Sequence, residues 1–337
     1  MMKKTLILAA IMAATLNMGT ARAADPFIIQ LKWVTQAQFA GYYVAKEKGF
    51  YDEVDLDVTI KPGGPDIAPE QVIAAGGADA IVDWMPAALA AREKGTPLVN
   101  IAQVFEKSGL MLTCRKDSGV TSSKDFSGRT IGVWFFGNEY PFFNWMNKLN
   151  YKILKEGEKA ADGITVLKQG FNVDPLLQKQ ADCISTMTYN EYWQLIEAGM
   201  KPDQLTTFKY EDEGVATLED GLYTVDKKLQ DPKEVDKLAR FVKAYMMGWN
   251  YAVAHPDEAV EIILKNDETG AQTKEHQTTM MQEVAKLIGP KNTTGKLDEV
   301  AYNRTVDTLL TGGSDPVISK KPVGAFSHMI TEAASKL

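Results

Sequence analysis

The chain alternates short apolar runs with longer stretches whose apolar residues recur at helical spacing. Ile28 to Leu31 predicts a short buried strand, and Phe39 to Lys48 a helix closed by Gly49, a residue type common at helix C-termini. Leu56 to Ile60 alternates as a strand and breaks at Pro62-Gly63-Gly64-Pro65. A helix from Ala68 to Ala75, a strand from Ala78 to Val82, a helix opened by Pro86 and a strand from Pro97 to Val104 follow. The rhythm then repeats. Leu110 to Cys114, Thr130 to Trp134, Ile164 to Lys168 and Cys183 to Met187 read as strands, with helical stretches at 122–125, 138–149, 174–179 and 190–197. One more strand, Gly221 to Val225, precedes an almost purely helical remainder: 233–254, 256–264, 274–287 and 298–310.

Such alternation predicts parallel sheets with helices on both faces. Two units followed by a helical tail give an α/β protein of two lobes, the tail packed on the first. Long Gly/Ser linkers are absent, so short crossing strands near 111–114 and 214–222 are expected to join the lobes. The expected division is 24–112 with 218–337 for lobe I and 113–217 for lobe II.

The first residues follow a different pattern. Lys3 and Lys4 precede the apolar run Leu6 to Leu16, and Ala21-Arg22-Ala23 has the small residues of a signal-peptidase site. The run is shorter than the ~20 residues that span a bilayer. A signal peptide at 1–23, cut after Ala23, is expected, with a periplasmic product. Loss of Lys3, Lys4 and Arg22 takes the formal charge from −7 to −10. An acidic surface without a Lys/Arg cluster disfavours nucleic acid and anionic membrane as partners. Cys114 and Cys183 have no metal or redox spacing. They read as two buried thiols, with a single bridge as the alternative in an oxidising compartment. The three histidines, His255, His276 and His328, are scattered and form no zinc motif. No metal or cofactor is expected.

The stretch from Leu31 to Tyr51 resembles the opening of the NMT1/THI5-like periplasmic binding proteins. Gly76 to Ala80, Ala91 to Val99, Ser122 to Val133 and Gly248 to Ala259 match the same family in order. The resemblance covers nearly the whole mature chain. It implies a type II periplasmic-binding-protein fold with a ligand cleft between lobes, and delivery to the membrane permease of an ABC importer. The family serves thiamine pyrimidine precursors, riboflavin and other small molecules. Some relatives are enzymes that make the thiamine pyrimidine and carry a cysteine-rich run; the corresponding region, Glu211 to Gly221, has no cysteine. A binding protein, acting as a monomer, is the expectation.

Ligands of open α/β sheets bind beyond the carboxyl ends of strands. Four loops there are rich in aromatic and amide residues: Trp33, Gln38 and Phe39; Asp83 and Trp84; Trp134, Phe135 and Asn138; and Tyr189, Asn190 and Glu191. Aromatic faces suit flat rings, and carboxylates and amides suit ring amino or imide groups. The Gly137-Asn138 step could instead offer free backbone N–H groups to an anion. Phe136, Tyr140 and Trp193 are expected inside the fold, and Asp212 and Glu213 near the return crossing. Arg92, Arg115 and Arg129 lie off these loops, which argues against an anion held by a bidentate arginine. The expected ligand is a small heteroaromatic ring, first a thiamine-precursor aminopyrimidine or related pyrimidine, second riboflavin.

Overall fold

In the first strand Phe27 and Ile29 are fully buried, and they start a sheet that sits against helices on both sides. A computed structural model describes residues 23–155, 158, 160–289, 293–311 and 316–337. The expected signal peptide therefore lies almost wholly outside the described residues. The first sheet contains β1 (Asp25–Gln30), β2 (Leu56–Lys61), β3 (Ala80–Asp83) and β4 (Leu98–Gln103), with helices α1 (Ala40–Glu47), α2 (Pro69–Ala74) and α3 (Met85–Glu93) between them. Its fifth strand, β11 (Gly221–Val225), inserts between β3 and β4, antiparallel to both, giving the order β2-β1-β3-β11-β4.

The second sheet holds β5 (Leu110–Arg115), β6 (Thr130–Val133), β7 (Lys152–Leu154), β8 (Gly163–Lys168), β9 (Cys183–Met187) and β10 (Leu205–Lys209). Their order is β10-β5-β9-β6-β8-β7, with β9, β6, β8 and β7 parallel and β5 antiparallel to both its neighbours. Helices α4 (Glu139–Lys148), α5 (Asp174–Leu177) and α6 (Glu191–Glu197) complete this unit. The protein is thus a two-lobed α/β fold of the type II periplasmic-binding kind. Residues 111–114 are not a crossing strand: they lie within β5, in the second sheet. The chain passes between sheets through 104–109 and 210–220.

Sequence reading also missed β7, β10 and a last helix, α11 (Met329–Ala334). The strand β10 does not alternate: Leu205 and Phe208 are buried on opposite faces while Thr207 and Lys209 are exposed, and its two threonines carry little apolar signal.

Cys114 and Cys183 form a disulfide, correcting the expectation of free thiols. The antiparallel register places them directly opposite on β5 and β9, with Cα atoms 3.9 Å apart. Opposed residues on one face are neighbours whatever their distance in sequence, here 69 residues.

The tail comprises α7 (Pro232–Ala254), α8 (Pro256–Asn266), α9 (Lys274–Ile288), α10 (Glu299–Leu310) and α11. Asp231 caps α7 by accepting from Lys233 N at 2.9 Å, and Pro232 takes the first helical position. Leu238, Phe241, Val242, Tyr245 and Trp249 form its buried stripe, Phe241 stacking on Phe27 at 4.1 Å. α7 crosses α1 closely: a Cβ on Gly248 would lie 2.1 Å from Gly41 O, so the crossing requires glycine. The tail is not confined to the first lobe. α9 touches both the turn at 37–39 and α6, and α10 touches both α3 and α4.

Candidate ligand-binding cleft

The carboxyl ends of β1, β3, β6 and β9 converge on one cleft. From the first lobe come Lys32, Trp33, Gln36 and Gln38 after β1, and Trp84 after β3. From the second come Trp134 and Asn138 after β6, then Met187, Tyr189, Asn190 and Glu191 at and beyond the end of β9. They line a narrow, partly open cleft whose cavity volume is about 30 Å³, so the walls must part to admit a ring. The two sides touch. Trp33 and Trp134 meet edge to face with centroids 6.4 Å apart. Gly137, at φ 93°, lies so near α3 that a Cβ there would come 2.3 Å from Ala87 Cβ.

Polar groups are fixed around this aromatic frame. Glu191 opens α6; its Oε2 accepts from Met187 N at 2.9 Å and its Oε1 from Asn190 Nδ2 at 2.8 Å. Burial pushes its carboxyl up to about 7, with these hydrogen bonds pulling the other way. The Tyr189 hydroxyl and Asn138 Oδ1 are buried without a hydrogen-bond partner among the described residues. Such groups are costly unless something meets them, which fits a polar ligand. Trp134 is aimed by its Nε1, which donates to Gly170 O at 2.7 Å.

Below the rings lies a row of buried acids. Lys32 Nζ donates to Asp83 Oδ1 at 2.7 Å and sits 5.9 Å from the Trp84 ring centroid. Burial raises the Asp83 carboxyl, and Lys32 opposes that rise. Asp220 Oδ2 accepts from Gln38 Nε2 at 2.6 Å; burial pushes this carboxyl up to about 6, against Gln38. Glu219 joins the two links between sheets: it accepts from the Ser108 hydroxyl, from Gly109 N at 2.8 Å and from Leu110 N at 3.2 Å. Burial pushes it up to about 8 despite these donors.

Glu191, Asp220 and Glu219 therefore keep their protons to higher pH in the fold than in the unfolded chain, where carboxyls titrate near about 4. The fold binds more protons in that window, so stability falls as pH rises. The contribution is complete below about pH 4 and is lost through about 6, 7 and 8 for Asp220, Glu191 and Glu219. Thermal melts are expected to show a loss on the order of a few kcal/mol between pH 5 and 8.5. Glu219→Gln should flatten the upper part of that fall; a stability that rises from pH 5 to 8.5 contradicts the assignment.

The structure brings Trp33, Gln38, Trp84, Trp134, Asn138, Tyr189, Asn190 and Glu191 together around the cleft. Three other predicted residues do not line it. Phe39 packs against Tyr42 in the core, with centroids 6.5 Å apart. Asp83 is wholly buried and committed to Lys32 and to Trp84 N. Phe135 lines a separate depression with Phe136 and Tyr140, on the far side of its loop. Phe136, expected inside, is instead exposed at 38%, because its positive φ of 62° turns it outward beside Lys168. The backbone N–H of Gly137 is not free for an anion: it donates to Glu139 Oε2 at 2.8 Å. Asp212 is exposed, and neither it nor Glu213 reaches the cleft.

Sequence reasoning missed Lys32, Gln36 and Met187 in the lining, and the Glu219–Asp220 pair beneath it. The pair had a signal, two adjacent acids directly before a strand buried along its whole length. Gln36 and Met187 had none. Among the described residues, no group of three or more histidines, cysteines and acids could hold a metal ion, and no helix is long and apolar enough to cross a membrane.

Residues 36–259 match the family model described as NMT1/THI5 like. The chain belongs to this family. It is 26% identical over 320 residues to the formylaminopyrimidine-binding protein of Halalkalibacterium halodurans, covering 90% of this chain and 92% of that protein. It is also 28% identical over 140 residues to the 4-amino-5-hydroxymethyl-2-methylpyrimidine phosphate synthase of Legionella pneumophila, covering 40% of this chain and 44% of the other. Among solved structures it resembles the periplasmic aliphatic sulphonate-binding protein of Escherichia coli, with a TM-score of 0.62, 12% identity and coverage of 86% and 85%. That last likeness concerns the fold, and it agrees with the two sheets described above.

Proposed function

We propose that this NMT1/THI5-like protein is the solute-binding component of an ABC importer and captures a thiamine-precursor aminopyrimidine or a related pyrimidine. The observation that carries the reading is the cleft itself: tryptophans from both lobes, the unpartnered Tyr189 hydroxyl and Asn138 oxygen, and the Glu191 carboxyl line one narrow space between the lobes. A flat ring with an exocyclic amino group matches those groups in polarity. A flavin, the alternative ligand, needs a longer cleft. The name of the Halalkalibacterium relative points the same way.

The expected lobe division, 24–112 with 218–337 against 113–217, is kept with one shift: β5 lies wholly in the second sheet, so the first seam moves into the link 104–109 while the second stays within 210–220. Hinge motion there would open and close the cleft, and the closed outer face would meet the permease. Export after cleavage at Ala23, residence in the periplasm and action as a monomer belong to the same proposal. A binding role rather than an enzymatic one is supported by the lining. Its ionisable groups are Lys32, Tyr189 and Glu191; Lys32 is paired, and both cysteines are held in the disulfide.

Thermal melts of residues 24–337 with hydroxymethyl and formylamino pyrimidines, thiamine, uracil, riboflavin, taurine and nitrate test this. A ligand at 100 times its Kd adds about 2.7 kcal/mol. Stabilisation by a pyrimidine but not by taurine or nitrate is the expected result. Stabilisation by riboflavin alone would replace the ligand, and turnover of a bound pyrimidine would replace the binding role.

A further inference from the structure

A hydrogen-bonded chain runs from the cleft to the surface through the tail. His276 on α9 is buried; its Nδ1 lies 2.8 Å from Glu197 Oε1 and its Nε2 2.8 Å from Asn190 Oδ1. Asn190 Nδ2 donates to Glu191 Oε1 at 2.8 Å, and Asn190 Oδ1 also accepts from Gln194 Nε2 at 3.0 Å. Glu191 and Asn190 line the cleft, whereas the Glu197 side chain is 41% exposed. The next residue on α9, Gln277, accepts from Ala37 N at 2.6 Å on the opposite lobe. One turn of α9 thus braces both walls.

The two ring nitrogens of His276 face two acceptors, so this arrangement has a proton on each. A second arrangement satisfies the same distances. If the Asn190 amide turns over, its NH2 donates to a bare His276 Nε2 and to a turned Gln194 amide, while its oxygen accepts from a protonated Glu191. One proton has then left His276 Nε2 and one has joined Glu191 Oε1; the total is unchanged. Met187 N donates to Glu191 Oε2 in both.

We infer that His276 is a positioning residue for ligand recognition, which through the Asn190 amide sets whether Glu191 offers the cleft a carboxylate or a carboxylic acid. The first form suits a ring amino group, and the second a ring nitrogen or carbonyl. Burial that places Glu191 near 7 keeps both forms within reach at neutral pH. Of the charged groups on elements packed against α9, Glu197 faces His276 directly and Glu191 through Asn190. Glu261 of α8 is turned to Lys274, Asp220 on the cleft floor to Gln38, and the part of α7 after Lys243, residues 244–254, carries no charged residue. The inference rests on the cleft being the binding site for its use in recognition, but the coupling of His276 to Glu191 is a property of the protein alone.

Histidine-15N-labelled protein tests it, since three histidines give a spectrum that His276→Gln assigns. In the protein alone, Glu191→Gln is expected to change the His276 ring 15N shifts at neutral pH, because the Asn190 amide loses its carboxyl partner. Adding 4-amino-5-hydroxymethyl-2-methylpyrimidine should shift the His276 signal toward the form protonated on both nitrogens. His276→Gln should weaken that ring roughly tenfold and change the pH profile of its binding, with the melting temperature nearly kept. Identical His276 ring 15N shifts in wild type and Glu191→Gln overturn the coupling. A wild-type pH profile in His276→Gln overturns the role in recognition. If the wild type binds no pyrimidine at all, the proposed function fails, and the ring 15N comparison still decides the coupling.

Discussion

Replacing Cys114 and Cys183 together by alanine is expected to lower the unfolding free energy by about 4 kcal/mol, the chain-entropy value for closing a loop of this length. The bond ties β5 to β9 across a sequence separation of 69 residues, and that span contains β6, β7, β8, α4 and α5. Opening it leaves the unfolded second lobe free to expand while the folded sheet keeps its register through the β5–β9 ladder. Urea unfolding of oxidised wild type, reduced wild type and the double variant measures it. The reduced protein should match the variant, and both should fall well below the oxidised form. Equal midpoints for oxidised and reduced protein would show that the bond carries no stability.

The outline of the fold was legible because each element was announced locally. Gly49 and Pro86 marked helix ends, and Cys183 to Met187 is apolar enough to read as a strand on its own. What could not be read was pairing. Neither the disulfide nor the insertion of β11 between β3 and β4 follows from local pattern, since both depend on register between distant segments. Weak strands such as β10 were missed for a related reason: their stability comes from the neighbour they pair with, here β5, and little of it from their own apolar content.

The site was legible to the same depth. The rule that ligands lie beyond strand ends found the four loops, and aromatic richness picked out Trp33, Trp84, Trp134 and Tyr189. Direction within a loop was hidden. Trp134 and Phe135 are adjacent, yet one turns into the cleft and the other away, because successive residues leave a strand on opposite faces. Asp83 and Asp220 show a second limit. Both are acids beside the site, but Lys32 holds one oxygen of Asp83 and Gln38 one oxygen of Asp220 beneath the rings, and no periodicity reveals such partners. His276 lies far from the cleft loops in sequence, and only the packing of α9 against α6 brings it within reach of Asn190.

Glu191→Gln is the variant expected to change ligand affinity most selectively. The carboxylate is buried and positioned by Met187 N and Asn190 Nδ2, so its acceptor lobes are fixed before a ring arrives. A hydrogen bond from a ring amino group to a charged acceptor contributes about 2 kcal/mol, or roughly thirtyfold in Kd. Because burial pushes Glu191 up to about 7, the wild-type carboxyl is mostly protonated at pH 6 and mostly ionised at pH 8. Titration calorimetry with an aminopyrimidine should therefore show a small gap between wild type and variant at pH 6 and the full gap at pH 8. A ring lacking the amino group should show a much smaller gap at both. Trp33→Ala serves as the contrast, since an aromatic face does not titrate: its loss should be the same at pH 6 and 8 and should fall on all flat rings alike. An equal loss across rings for Glu191→Gln would remove the carboxyl from amino recognition and leave the cleft with stacking alone to choose its ligand.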